Sequence, residues 1–278
     1  MNFSKSEQVL LDELQQWENK LTKNEGYELP AAWHNWAEKQ MASIPPELKN
    51  SLTLKLDTAV FHLNAFLQSS SLQLSAREQI LKSAAAIDSQ AREITDLRNL
   101  SIDQLNYIAD IQLSKQRLYS LVQGGLTGAG GLLFLGADLP AAMILQLRTV
   151  QTAALCYGYE LNTPYETMTI LRVYHAALLP GNLKSARWKE LTEELYERKE
   201  EPFFYDGPEE IADEASLRVY IGQIAKLFVL SALRKKVLQG IPVFGLIAGA
   251  GINYKQTREV AQFAQKYYQL RTLSEKKG

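Results

Sequence analysis

The chain is poor in sulfur: one cysteine, Cys156, in 278 residues. A single thiol excludes an internal disulfide framework and fits a reducing compartment. Cys156 itself is expected to be a small buried apolar residue rather than a reactive group. Net charge is also missing. Lys and Arg number 30 against 31 Asp and Glu, a formal charge of −1, so no nucleic acid is implied as a partner. The N-terminal MNFSKSEQVLLDELQQWENK is amphipathic and lacks the apolar core of a secretory signal, which makes a cytoplasmic location the expectation. No run alternates with period two and no hairpin dipeptide separates β-branched runs, so strands are not expected. No zinc, EF-hand, nucleophile-elbow or kinase pattern occurs. No metal, cofactor or reaction is therefore expected from motifs.

What is present is helical periodicity. Val9, Leu10, Leu14, Trp17 and Leu21 form one apolar stripe, and spacing of this kind marks the buried face of a helix. Leu52, Leu56, Val60, Leu63 and Leu67 form a second; Ile80, Ala84, Ile87, Ala91 and Ile94 form a third. Met143, Leu147, Val150, Ala154 and Gly158 line a fourth helix, which also carries Ile144, Leu145 and Leu155 and should be mostly buried. Val260, Phe263, Tyr267 and Leu270 line the last. Start signals agree with the stripes. Ser75-x-x-Glu78 and Ser101-x-x-Gln104 have the form of capping boxes, and Thr163-Pro164-Tyr165-Glu166 combines an N-cap, a first-turn proline and an acid. That helix should run to Leu179, before Pro180-Gly181. The expected architecture is an all-α multi-helix bundle: an N-terminal helical region over residues 1–95, then a core over 96–278 with a long loop near 200–208.

The densest signal is Leu118–Ala137, LYSLVQGGLTGAGGLLFLGA, without a charge and with six glycines. It is long enough to span a bilayer if helical, yet each glycine costs a soluble helix roughly 1 kcal/mol. A second uncharged tract runs from Val237 to Tyr254. Each follows basic residues: Lys115 and Arg117 before the first, Arg234, Lys235 and Lys236 before the second. Gly124 and Gly128 are four apart, as are Gly245 and Gly249, so each pair shares a helix face on which backbones can approach closely. Gly124, Gly128, Gly131, Gly245, Gly249 and Gly251 are the expected packing face, with the two tracts packed together in the core. Interfacial or membrane-embedded hairpins are the alternative. Pro242 points to a loop, bend or short helix in the second tract. Neither tract has a phosphate-loop pattern.

Several of these residues together resemble the EcsC protein family. They are Gly136-Ala137-Asp138-Leu139-Pro140 closing the first tract, Arg148, Tyr157-Gly158-Tyr159, then Ile241-Pro242-x-x-Gly245-x-x-x-Gly249-x-Gly251-x-Asn253, and a helix with Tyr267 and Arg271. The resemblance covers roughly residues 103–273, with the N-terminal helices a looser match. It implies a mostly helical intracellular protein associated with membrane processes. The family's founding member is encoded beside an ABC transporter, and no reaction is implied.

Four polar residues are candidate site positions. Asp138 stands at the mouth of the uncharged tract, directly before a helix, where an N-cap is the plain alternative. Arg148 lies in an otherwise apolar helix and needs a partner if buried. His175 shares a helix face with Arg172. Asn253 closes the second tract. The leading expectation for function is a non-enzymatic accessory or regulatory protein at the inner face of the cell membrane, acting on a membrane protein or the membrane surface. The alternative is an enzyme or a small-molecule or lipid-binding protein with a polar pocket around Asp138, Arg148, His175 and Asn253.

Overall fold

The computed structural model describes residues 3–22, 62–63, 66, 71–127, 139–197, 221–228 and 245–277. Among these residues every extended element is a helix. In chain order they are α1 (Lys5–Thr22), α2 (Ser71–Ala85), a 3-10 helix (Ile94–Asn99), α3 (Ile102–Thr127), α4 (Leu139–Cys156), α5 (Pro164–Leu178), α6 (Gly181–Glu197) and α7 (Gly245–Lys277). Residues 221–228 are also helical.

The centre is the trio α3, α4 and α7, with α5 and α6 on one side and α2 across the α3–α4 pair. Side-chain bonds set the directions. Asn106 of α3 accepts from Tyr157, just past α4, and Gln116 donates to Thr152. Asn106 also accepts from Gln269, and Asp110 from Gln265, both on α7. Rising numbers on α3 meet falling numbers on both neighbours, so α3 runs antiparallel to α4 and α7. The α1 helix packs on α6 and α7 through Trp17, whose ring stands edge-on to Trp188 at 4.6 Å and to Phe263 at 5.8 Å. Such edge-to-face pairs add about 0.5–1.5 kcal/mol beyond the area they bury.

Local signals operate where the chemistry is complete. Ser101 and Gln104 form a reciprocal capping box: the Ser101 N–H donates to Gln104 Oε1 at 2.8 Å, and the Gln104 N–H donates to Ser101 Oγ at 3.4 Å. Thr163 caps α5 by accepting from the Glu166 N–H at 3.1 Å, with Pro164 in the first turn and Leu179 as C-cap.

Three expectations are corrected. The α2 helix starts at Ser71, so Ser75 lies inside it, and its hydroxyl accepts from Arg148 instead of capping. The third stripe is not one helix. It breaks after Ala85, where Asp88 Oδ1 accepts from the Gln90 N–H and the Ala91 N–H bonds to the Asp88 carbonyl; an aspartate that binds its own following backbone favours a turn over a helix. The stripe residues Ile80, Ala84, Ala91 and Ile94 remain buried across the break. Gly158 is not on the α4 stripe but ends that helix, with φ at +83°. The Gly158 N–H bonds to the Leu155 carbonyl and the Tyr159 N–H to the Ala154 carbonyl, the paired bonds of a Schellman stop, which needs a left-handed residue.

The first uncharged tract continues α3 as helix to Thr127. The second, expected as a loop, bend or short helix, is helical from Gly245 and continuous with the final helix. Gly128, Gly131, Asp138, Pro242, the 200–208 loop and most of the second stripe lie outside the described residues. Gly251 is exposed, and a Cβ built there would meet nothing within 4 Å, so close backbone contact is not what selects glycine at that position.

Candidate functional site

Two polar clusters lie inside the bundle. The first joins α2, α3 and α4. Gln112, Gln116 and Ser120 follow one another every four residues along α3, and all are buried. Gln112 donates to the Gln79 carbonyl and to the Ser83 hydroxyl, and Gln116 donates to the Thr152 hydroxyl. Arg148, on the same part of α4, is half-buried and donates through one guanidinium nitrogen to Ser75 Oγ at 3.1 Å. Its buried Nε has no hydrogen-bond acceptor, and no carboxylate among the described residues pairs with it. A guanidinium carries five donors in a planar fork, so this one has capacity for an anionic group.

The second cluster is closed upon itself. Arg271 of α7 makes paired bonds to both carboxylate oxygens of Glu166 on α5, at 2.6 and 2.9 Å, and a third to Glu275 at 2.9 Å. Its guanidinium lies 3.9 Å from the Tyr159 ring centre and 5.4 Å from that of Tyr165. Burial works against its charge, but the bonds and charge of Glu166 outweigh that and hold it protonated. Tyr159 is also approached by Arg98 at 4.8 Å, and Arg98 Nε donates to the Gly158 carbonyl at 3.0 Å. Burial pushes the Tyr159 and Tyr267 hydroxyls up in pKa, so neither ionises near neutrality. The buried charges of Arg271 and Glu166 are matched to each other. The cluster can clamp α5 and α7 to the end of α4, but it offers no unengaged base.

The sequence candidates fare differently. Asp138 lies outside the described residues. Arg148 donates to α2, whereas His175 on α5 is buried and senses the charge of Arg187 on α6; the contacts described carry the two toward different neighbours. Burial, with Arg187 adding to it, pulls the His175 pKa down to about 4, so it is neutral at pH 7. Asn253 is half-buried in the first half of α7. Cys156 is fully buried, and burial pushes its thiol pKa well up. Among the described residues no group of three or more His, Cys, Asp or Glu is arranged to hold a metal ion.

The tyrosine cluster assembles three of the elements that carry the family resemblance: Gly158-Tyr159, Tyr267 and Arg271. The EcsC protein family model matches residues 8–273. The chain belongs to the EcsC protein family. A Bacillus subtilis protein, YdbA, uncharacterized, is 23% identical over 248 residues, 87% of each chain. The B. subtilis protein EcsC is 24% identical over 183 residues, 66% of this chain and 70% of that one. No solved structure is a significant match. The EcsC family match takes in α1, where the sequence motifs gave only a looser resemblance. Reasoning from sequence missed Glu166 as the partner of Arg271, because its place in a helix-start signature already accounted for it. It also missed Ser75 as an acceptor for Arg148, having read it as a cap, and missed Gln112 and Gln116, which look like ordinary surface polar residues.

Proposed function

We propose that this chain is a non-enzymatic accessory or regulatory protein that works at the cytoplasmic face of the cell membrane, with a membrane protein as its target. One observation carries the reading: the last turns of α3, where the first uncharged tract begins, leave Leu118, Tyr119, Leu121 and Val122 in solvent. Adjacent exposed apolar side chains of this size mark an interaction surface rather than ordinary surface scatter. No helix among the described residues is long and apolar enough to cross a membrane, so the reading uses a peripheral contact. An ABC transporter as the membrane partner follows from the family resemblance alone. Fractionation of cells at low salt tests the reading: the chain should sediment with membranes and be released by high salt. Recovery entirely in the soluble fraction at low salt would overturn it.

A second reading, a binder of small anionic molecules, draws on Arg148 and its open donor capacity. It predicts that inorganic phosphate raises the melting temperature of the chain and that Arg148→Ala abolishes the rise. Equal stabilisation of both proteins would sink it.

A further inference from the structure

The last turns of α3 are inverted. Gln116 and Ser120 are 5% and 1% exposed, while Leu118, Tyr119, Leu121 and Val122 are 57%, 50%, 39% and 56% exposed. A surface helix in water shows the opposite arrangement. On the interior side Gln116 donates to Thr152 and Ser120 to the Arg117 carbonyl, while Gln116 Oε1 is buried without a partner. The outward side faces water with hydrocarbon.

Charge is segregated to the same end. Seven residues beyond Asp110 on α3, and seven back from Gln265 on α7, the antiparallel register brings Arg117 level with Arg258. Beyond Asp110 the α3 helix carries Lys115 and Arg117 and no acid; α4 carries Arg148 and no acid; from Gly245 to Arg258 the α7 helix carries Lys255 and Arg258, both exposed, and no acid. In the sequence no Asp or Glu stands between Asp110 and Asp138, or between Glu214 and Glu259, although the whole chain holds 31. Asp103, Asp110, Glu160, Glu166 and Glu275 lie toward the other end. A protein partner of the common kind meets a rim of both signs. Glu259, half-buried, follows Arg258 on α7, so the rim is predominantly basic; such a rim around exposed leucine, valine and tyrosine matches an anionic lipid surface instead.

We infer that this end of the bundle seats directly on an anionic bilayer. Leu118, Tyr119, Leu121 and Val122 enter the acyl boundary, and Lys115, Arg117, Lys255 and Arg258 meet the phosphates. The inference rests on the membrane-surface reading and adds that the contact is with lipid itself.

Flotation of the purified full chain with protein-free vesicles tests it, using phosphatidylcholine alone and phosphatidylcholine mixed with phosphatidylglycerol. The wild type should float with the mixed vesicles, float poorly with phosphatidylcholine, and detach as salt rises. Leu118→Ser with Val122→Ser should weaken partitioning on the order of tenfold per side chain. Lys255→Gln with Arg258→Gln should weaken it about fivefold per charge. Tyr107→Ser, exposed on the opposite half of α3, should leave it unchanged. All these positions are exposed, and circular dichroism melts confirm that each variant is folded. If the wild type floats and the α3 variant floats equally well, the proposed surface is wrong while the membrane reading stands. If the wild type floats with neither vesicle yet sediments with cell membranes, the contact is with protein and the inference is overturned alone. Absence from both overturns the reading and the inference together.

Discussion

The two ends of this helical bundle solve burial in opposite ways. At the end where α4 stops, the chain gathers Tyr159, Tyr165, Tyr267, Glu166 and Arg271 into a cluster in which the buried acid and the buried base pair with each other. At the end where α3 leaves off, the interior is lined by amides and hydroxyls while leucine, valine and tyrosine point outward. The first end buries its ion pair among rings. The second leaves hydrocarbon in water. Stability and binding should therefore reside at different ends, and substitutions can separate them.

The largest effect belongs to the closed end. Glu166→Ala leaves Arg271 buried without its main partner, and such a loss costs about 3–5 kcal/mol; chemical denaturation should show it. Replacing both, as Glu166→Leu with Arg271→Met, should recover much of that loss, because no uncompensated charge remains. Full loss in the double variant would show that the ring packing around the guanidinium matters more than the charge. Gly158→Ala should cost about 1–3 kcal/mol. Its φ is +83°, and a Cβ would lie 2.7 Å from Arg98 Cγ, 3.2 Å from the Arg98 nitrogen and 3.3 Å from the Ile94 oxygen. The side chain can shift, but the two backbone atoms have less room to yield.

Between the ends, His175 supplies a pH test. Burial first, and Arg187 second, lower its pKa from 6.5 to about 4. The unfolded chain takes up the proton first as pH falls. The contribution is therefore complete above 6.5 and is lost progressively between 6.5 and about 4, with a slope approaching about 1.4 kcal/mol per pH unit. His175→Gln should flatten that part of the stability profile; an unchanged slope would assign it to other groups. At the open end the effects on folding are small and reverse in sign. Gly251→Ala should stabilise by roughly 0.5–1 kcal/mol, since helical glycine is costly and the space is vacant. Leu118→Ser with Val122→Ser should shift unfolding by no more than about 0.5 kcal/mol per site. A large destabilisation there would mean that those side chains already pack on the fold.

Much of the closed end's framework was legible in sequence. The α5 start at Thr163 and its end at Leu179, the cap at Ser101, and the stripe of α7 all follow rules that act within a turn or two. Ser75-x-x-Glu78 shows where such rules fail: a capping signature is short enough to occur inside a helix, and the helix had already begun at Ser71. Arg148 could be singled out as a charge in an apolar helix, but its acceptor on α2 lies 73 residues away in sequence. The inversion of α3 was illegible because composition marks the tract that begins at Leu118 but not which of its side chains face outward.

By itself the chain's order of residues determined that it is helical, where several helices begin and end, and which tracts carry no charge. Those properties depend on backbone bonding and side-chain spacing over a few neighbouring positions. Tertiary structure decided that Glu166 meets Arg271 across 105 residues, that amides line the inside of α3, and that basic side chains from separate helices collect at one end. These features depend on how helices are oriented against one another, and that is settled by packing the entire core at once.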